Sequence, residues 1–229
     1  MRIEPQINSG RSEPRINDNN LVLWLNDNGK TASNWYDQSG KNNHGTVYGA
    51  TTPPPATPQA LGYLFDGVDD YVDVGSAASL NNSNFSISLW YKSYEKTSIK
   101  VLTSKRKNSD YWAIMQRADG IRLELFNGIS YFNSLYFDNY LINEWHNVVT
   151  TVSNSNYLLY VDGLLISDSS DLTDFEPVLE DKIFIANMEA APTLYNFNGS
   201  IDEFRIYNRA LSADEIWSHY ITQKGKFGL

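Results

Sequence analysis

The segment "FNGSIDEFRIYNRALSADEI" (residues 197–216) holds four carboxylates, Asp202, Glu203, Asp214 and Glu215. Carboxylates this dense can act as an acid–base or nucleophilic pair, ligate a divalent cation, or serve the fold as caps and ion pairs. Spacing separates these roles. Residues 200–207 read as a strand, whose side chains alternate between faces. Asp202 then shares a face with Phe204 and Ile206, and Glu203 falls on the other with Ile201, Arg205 and Tyr207. A retaining glycosidase needs two carboxyls about 5–5.5 Å apart on the same side of one site, so this pair is not expected to be catalytic. Asp202, at the rim of a core and with no lysine or arginine on its face of the strand, needs a cation or several hydrogen bonds. Calcium completed by main-chain oxygens would answer that need, as would hydrogen bonds from loop amides.

Asp214 and Glu215 have a structural fate. "LSADEI" fits a capping box, with Ser212 as N-cap, Glu215 at the third helical position, and Leu211 and Ile216 as a hydrophobic staple. Asp214 complements the positive end of the helix dipole. The helix is expected over about 212–221, and no other is expected.

Other constellations are weaker. No acidic triplet at alternate positions of one strand appears. "IRLELF" places Arg122 and Glu124 on one face, a faint echo of polysaccharide-lyase strands that also fits a charged surface. His44, His146 and His219 lack metal-ligand spacing, and no nucleophile elbow or phosphate-cradling glycine loop is present. Asp66, Asp69, Asp70 and Asp73 do not have the spacing of an EF-hand loop. No catalytic residue is assigned, and the chain is expected not to be an enzyme.

Aromatics are the better lead. "YFNSLYFDNYLINEW" (131–145) holds more rings than one strand face can bury, and exposed rings stack on sugars or anchor protein interfaces. Tyr131, Tyr136 and Tyr140, with Trp35, Tyr36 and Tyr195 from other segments, are the candidate ligand-binding residues.

The elements that must position these groups are strands. Apolar runs and alternating segments such as "LVLWL", "FSISLWYK", "NVVTTVS", "YLLYV" and "KIFIAN" are punctuated by Asn-Gly and Asp-Gly turns, including Asn127-Gly128 and Asp162-Gly163. Many short strands with such turns indicate an all-β, two-sheet antiparallel sandwich over residues 21–229. The proline run at 53–58 reads as an extended surface loop. Residues 1–20 form a polar arm in which "RIEP" recurs as "RSEP". Such an arm gains little by apolar burial, so Arg2, Glu4, Arg11 and Glu13 are expected to contact a partner in a homo-oligomer, capsid or fibre. A net charge of −9 argues against nucleic acid and against anionic lipid. No apolar run is long enough to span a membrane, and the N-terminus lacks the apolar core of a signal peptide. With no cysteine, disulfides and thiolate-bound zinc are excluded.

The run "GSIDEFRIYNRALSADEI" resembles the closing motif of laminin-G-like domains in the concanavalin A-like lectin/glucanase superfamily. In order along the chain, "WYDQSGKNNHGTVYGA", "LFDGVDDYVDV", "FSISLWYK", and "EWHNVVTTV" with "LYVDG" resemble other family segments, over roughly residues 21–221. The resemblance implies a jelly roll and one structural Ca²⁺, held by Asp202 and by carbonyls near Trp24 and Gly67. It also implies a non-catalytic module that contacts glycans or protein partners. The missing signal peptide and the arm point to the surface of a phage or virus particle. The alternatives are a carbohydrate-binding module of a secreted bacterial multidomain protein and, further off, a glycoside hydrolase or polysaccharide lyase. An extracellular or virion-surface location is expected in either binding case.

Overall fold

In the computed structural model, residues 18–54, 61–96, 99–127, 131–137, 142–153, 156–169, 181–188 and 194–229 are described. Arg2, Glu4, Arg11, Glu13 and Tyr140 lie outside them. The described chain forms fifteen strands. The first five are β1 (Leu21–Lys30), β2 (Asn34–Asp37), β3 (Gly45–Tyr48), β4 (Tyr63–Asp66) and β5 (Tyr71–Gly75). The next five are β6 (Phe85–Ser93), β7 (Lys100–Lys107), β8 (Asp110–Arg117), β9 (Gly120–Asn127) and β10 (Tyr131–Phe137). The last are β11 (Trp145–Ser153), β12 (Asn156–Val161), β13 (Leu164–Ser169), β14 (Ile183–Ile185) and β15 (Asn198–Tyr207), followed by the helix α1 (Ala213–Gln223). The pairing between named strands is antiparallel throughout, in the order β10-β9-β8-β7-β14-β5-β3-β2-β1-β15-β6-β11-β12-β13, with β4 also on β15.

This ladder folds over on itself to make the two layers of an antiparallel jelly roll. One core joins Leu89 of β6, Val148 of β11, Leu159 of β12 and Phe204 of β15 to Ile114 of β8, Leu123 and Leu125 of β9, and Ile185 of β14. Phe85 meets Trp112 across the layers, ring centroids 5.8 Å apart. Successive side chains point to opposite faces, so β3 and β5 bury alternate residues, while β6, β8, β11 and β15 are covered on both faces and buried almost throughout. Local chemistry closes the turns. Asp162 and Gly163 have φ of 50° and 77°, as a two-residue hairpin between β12 and β13 requires.

The helix forms where the capping box places it. Ser212 accepts from the Glu215 amide and Glu215 accepts from the Ser212 amide. Its buried Ile216 packs with Leu211, Tyr207 and Val149 on the outer face of the β15 layer.

One local departure matters for the site. Asp202 pairs with Trp90 and Arg205 with Ser88, so β15 carries an extra residue there, a β-bulge, and Glu203 takes a left-handed φ of 52°. Ile201, Phe204 and Ile206 stay in the main core, while Asp202 moves to the other face with Glu203 and Arg205. The strict alternation expected from the sequence, with Asp202 beside Phe204 and Ile206, is therefore corrected.

Candidate functional site

Two constellations stand out, a partly buried charge network behind β15 and an open groove on the outer face of β7, β8 and β9.

The network centres on Lys226, in the short 3₁₀ turn after α1. Its Nζ lies 2.8 Å from Asp202 Oδ2, 2.7 Å from Glu203 Oε1 and 3.1 Å from Asp27 Oδ2. Lys30 joins Asp27 at 2.6 Å and donates to the Gly62 carbonyl at 2.7 Å. Arg205 bonds Glu203 Oε2 at 2.7 Å, and the Trp24 indole N–H donates to the same oxygen at 2.8 Å. Three carboxylates thus face three cations. Burial pushes the Asp202 carboxyl up to about 7 against the pull of Lys226. Burial would raise Asp27 too, but hydrogen bonds from Lys30 and the Gly62 amide, with the charge of Lys226, hold it down at about 2. Burial works against charge on Lys226, yet Asp202 and Glu203 keep its pKa well above the ordinary lysine value.

The expected calcium ligands are not brought together. Gly67 lies across from Asn198, four residues from Asp202 along β15, or roughly 13 Å at the rise of a strand. The Trp24 carbonyl faces β2, where it accepts from the Gln38 amide at 2.8 Å. The side chains that do surround Asp202 are carboxylates and a lysine, so the set of Asp202, Trp24 and Gly67 does not form one coordination sphere. The bulge does put Asp202 and Glu203 on one side, but both are buried and bonded to Lys226, which leaves no side open to a substrate.

The groove has a volume of about 310 Å³. Its lining includes the apolar Val101 and Met115 of β7 and β8 and Met188 beyond β14, and the aromatic Tyr111, Phe126 and Tyr195. Tyr111 and Phe126 are register partners on β8 and β9, with ring centroids 5.6 Å apart. Tyr195 is placed by its own backbone, whose carbonyl accepts from the Val101 amide at 2.8 Å beside a parallel bridge from Val101 to Asn196. Three charged groups complete the lining, Arg106, Arg117 and Glu124. Arg117 pairs with Glu124, and the Tyr111 hydroxyl donates to Glu124 Oε2 at 3.3 Å. Two guanidiniums and one carboxylate make this a locally basic concavity on a chain of net charge −9. It offers ring faces, an apolar floor and fixed charges, the composition of a ligand-binding pocket.

Of the expected ligand-binding residues, Tyr195 lines the groove. Tyr131 and Tyr136 lie on β10, register partners of Phe126 and Arg122 on the adjoining strand. Tyr36 is 42% exposed on β2, its ring 5.1 Å from His44 and four ladder positions from β7. Trp35 is corrected to a core residue, since it is wholly buried, packs edge-on against Tyr63 and donates to the Asn26 carbonyl at 2.9 Å. Arg122 turns to Asp119 rather than to Glu124. The aspartates 66, 69 and 70 do converge, each offering an oxygen within 4.8 Å of the others, although their spacing is not that of an EF-hand.

A two-layer antiparallel jelly roll with one C-terminal helix and a ligand-sized groove on a sheet face is a lectin-type sandwich. The chain belongs to the concanavalin A-like lectin/glucanases superfamily, whose Laminin_G_3 model matches residues 66–217. A non-toxic nonhemagglutinin of Paraclostridium bifermentans is 28% identical over 163 residues, which is 68% of this chain and 14% of that protein. Among solved structures, the binding domain of botulinum neurotoxin serotype D superposes with a TM-score of 0.70 at 20% identity, over 90% of this chain and 51% of that one. Domain 4 of an extracellular arabinanase from Geobacillus stearothermophilus, in complex with arabinotriose, superposes with a TM-score of 0.69 at 16% identity, over 86% of this chain and 96% of that one. The chain thus spans about a seventh of the curated relative and half of the toxin domain. Among the described residues no helix is long and apolar enough to cross a membrane.

Proposed function

We propose that this chain is a non-catalytic recognition module that binds an oligosaccharide in the groove on β7, β8 and β9. The observation that carries the reading is the convergence of Tyr111, Phe126 and Tyr195 with Arg106, Arg117 and Glu124 around one concavity of about 310 Å³. Ring faces stack on the apolar face of a pyranose or furanose, and guanidinium and carboxylate groups fix its hydroxyls, so shape and chemistry fit a short glycan. A solved neighbour in complex with arabinotriose and the toxin binding domains support binding over turnover. They also favour a module of a secreted bacterial multidomain protein over a phage or virus particle, and an extracellular setting.

The test is a glycan array followed by calorimetry on the hits. Binding of an oligosaccharide is expected, weakened about tenfold by Tyr195→Ala, as loss of one stacked ring worth about 1.4 kcal/mol would give. Arg106→Ala should weaken it comparably, while Tyr36→Ala, outside the groove, leaves it unchanged. Absence of any glycan ligand, or binding indifferent to both groove substitutions, contradicts the reading. A protein hit whose affinity falls with the same substitutions would overturn the glycan while keeping the groove.

A further inference from the structure

We propose that Lys226 is the built-in cation of this domain, and that its ammonium, seated among Asp27, Asp202 and Glu203, makes the fold independent of calcium. The geometry is that of a cation site. Three carboxylates from two adjacent strands send one oxygen each to within 3.1 Å of a single Nζ. Asp202 is wholly buried, and its second oxygen, Oδ1, has no hydrogen-bond partner among the described residues. A buried carboxylate with a spare acceptor is costly unless a cation stands against it. In a site of this kind the cation is usually a divalent ion with oxygen ligands. Here the chain supplies its own.

The lysine is delivered, not merely nearby. Phe227 stacks on Trp90 with ring centroids 4.0 Å apart and an interplanar angle of 9°, and meets Trp145 at 4.9 Å. The Trp90 indole N–H donates to Gln223 Oε1 at 2.7 Å, which ties the end of α1 to the same place. Docking of residues 223–227 therefore fixes the ammonium at the carboxylates with little further loss of side-chain freedom, the main cost of holding a lysine in one geometry. Lys226 removed, the three carboxylates would face, among the described residues, Lys30 and Arg205, a negative balance that a divalent ion can correct.

Four preparations test this. Wild type should melt at the same temperature with chelator and with millimolar calcium. Lys226→Met should melt several degrees lower, and calcium should restore part of the loss. Tb³⁺ should then luminesce on tryptophan excitation in Lys226→Met, above the wild-type level, because Trp24 bonds Glu203 and lies within sensitising range. Adding Asp202→Asn should abolish both the calcium response and the extra luminescence. A wild-type midpoint that falls on chelation, or a Lys226→Met variant that responds to neither ion, overturns the proposal. If Lys226→Met folds only with calcium, the proposal is supported. If it folds under neither condition, Lys226→Arg decides: a folded, calcium-indifferent protein supports a built-in cation, and an unfolded one contradicts it.

Discussion

Glu215 serves three donors with two oxygens. Its Oε2 accepts from the Ser212 amide and from Arg209 Nη1, both at 2.8 Å, and its Oε1 accepts from Arg209 Nη2 at 2.6 Å. The Arg209 guanidinium, more than the cap, holds its carboxyl down at about 2 against the effect of burial. A carboxylate depressed in the folded state contributes stability above its unfolded pKa, lost as pH falls from about 4.5 toward 2. Ser212→Ala or Glu215→Gln should cost about 1 kcal/mol at neutral pH by chemical denaturation, and the Glu215→Gln deficit should shrink below pH about 4. His219 titrates with the same sign but for another reason. Burial first, then the charges of Arg205 and Arg209, lower its pKa from 6.5 to about 4, although Glu215 and Glu203 pull the other way. Between pH 6.5 and 4 the unfolded chain binds the proton and the native state does not, so stability is lost as the pH is lowered through that window. The shift corresponds to roughly 3–3.5 kcal/mol at most. Replacing His219 with Gln should flatten that part of the stability curve relative to wild type, and a parallel curve would show that the imidazole does not titrate there.

At the scale of elements, β15 is the strand on which the layout depends. It lies between β1 and β6, takes β4 at its start, and carries the bulge that turns two carboxylates to one side. Gly62 lies against this segment with φ +71°, where a Cβ would sit 1.9 Å from the Ile201 carbonyl oxygen. Gly62→Ala should therefore cost well over 2 kcal/mol, whereas Gly75→Ala, with φ +78° but nothing within 4 Å, should cost only the left-handed strain of about 1–2 kcal/mol. Thermal or denaturant melts of the pair would show the difference, and equal losses would deny the close approach. The same strand marks the limit of what pattern reveals. The capping box at Ser212 and the Asp162-Gly163 hairpin were legible because their chemistry is local. The bulge was not, because a glutamate at positive φ leaves no mark of the kind glycine or asparagine leaves. Lys226 was hidden for another reason, since its partners lie 24, 23 and 199 residues away and only the folded chain unites them. The groove had a readable trace. In "YWAIM" both faces of β8 are apolar, with Trp112 and Ile114 in the main core and Tyr111, Ala113 and Met115 in a second cluster. A strand greasy on both sides needs cover on both, and the chain covers the second face with Tyr195 and Met188. Aromatic density alone misplaced Trp35, since it cannot say which ring of a Trp-Tyr pair faces inward.

At the scale of the whole molecule, the described residues of this acidic chain present a basic, ring-lined concavity on a sheet face, and the helix and tail sit on a different face. The binding surface and the charge network are therefore separable, and changes at Lys226 should leave recognition intact while changes at Tyr195 leave the melting temperature intact. In the reading proposed above, such a domain works by positioning a surface for recognition. The most direct test of that claim is a backbone-amide NMR titration with an oligosaccharide selected from a glycan array. The account predicts concentration-dependent shifts confined to β7, β8, β9 and the Tyr195 segment, abolished by Tyr195→Ala. Shifts centred elsewhere, for example on Tyr36 and the β2–β3 turn, would contradict it.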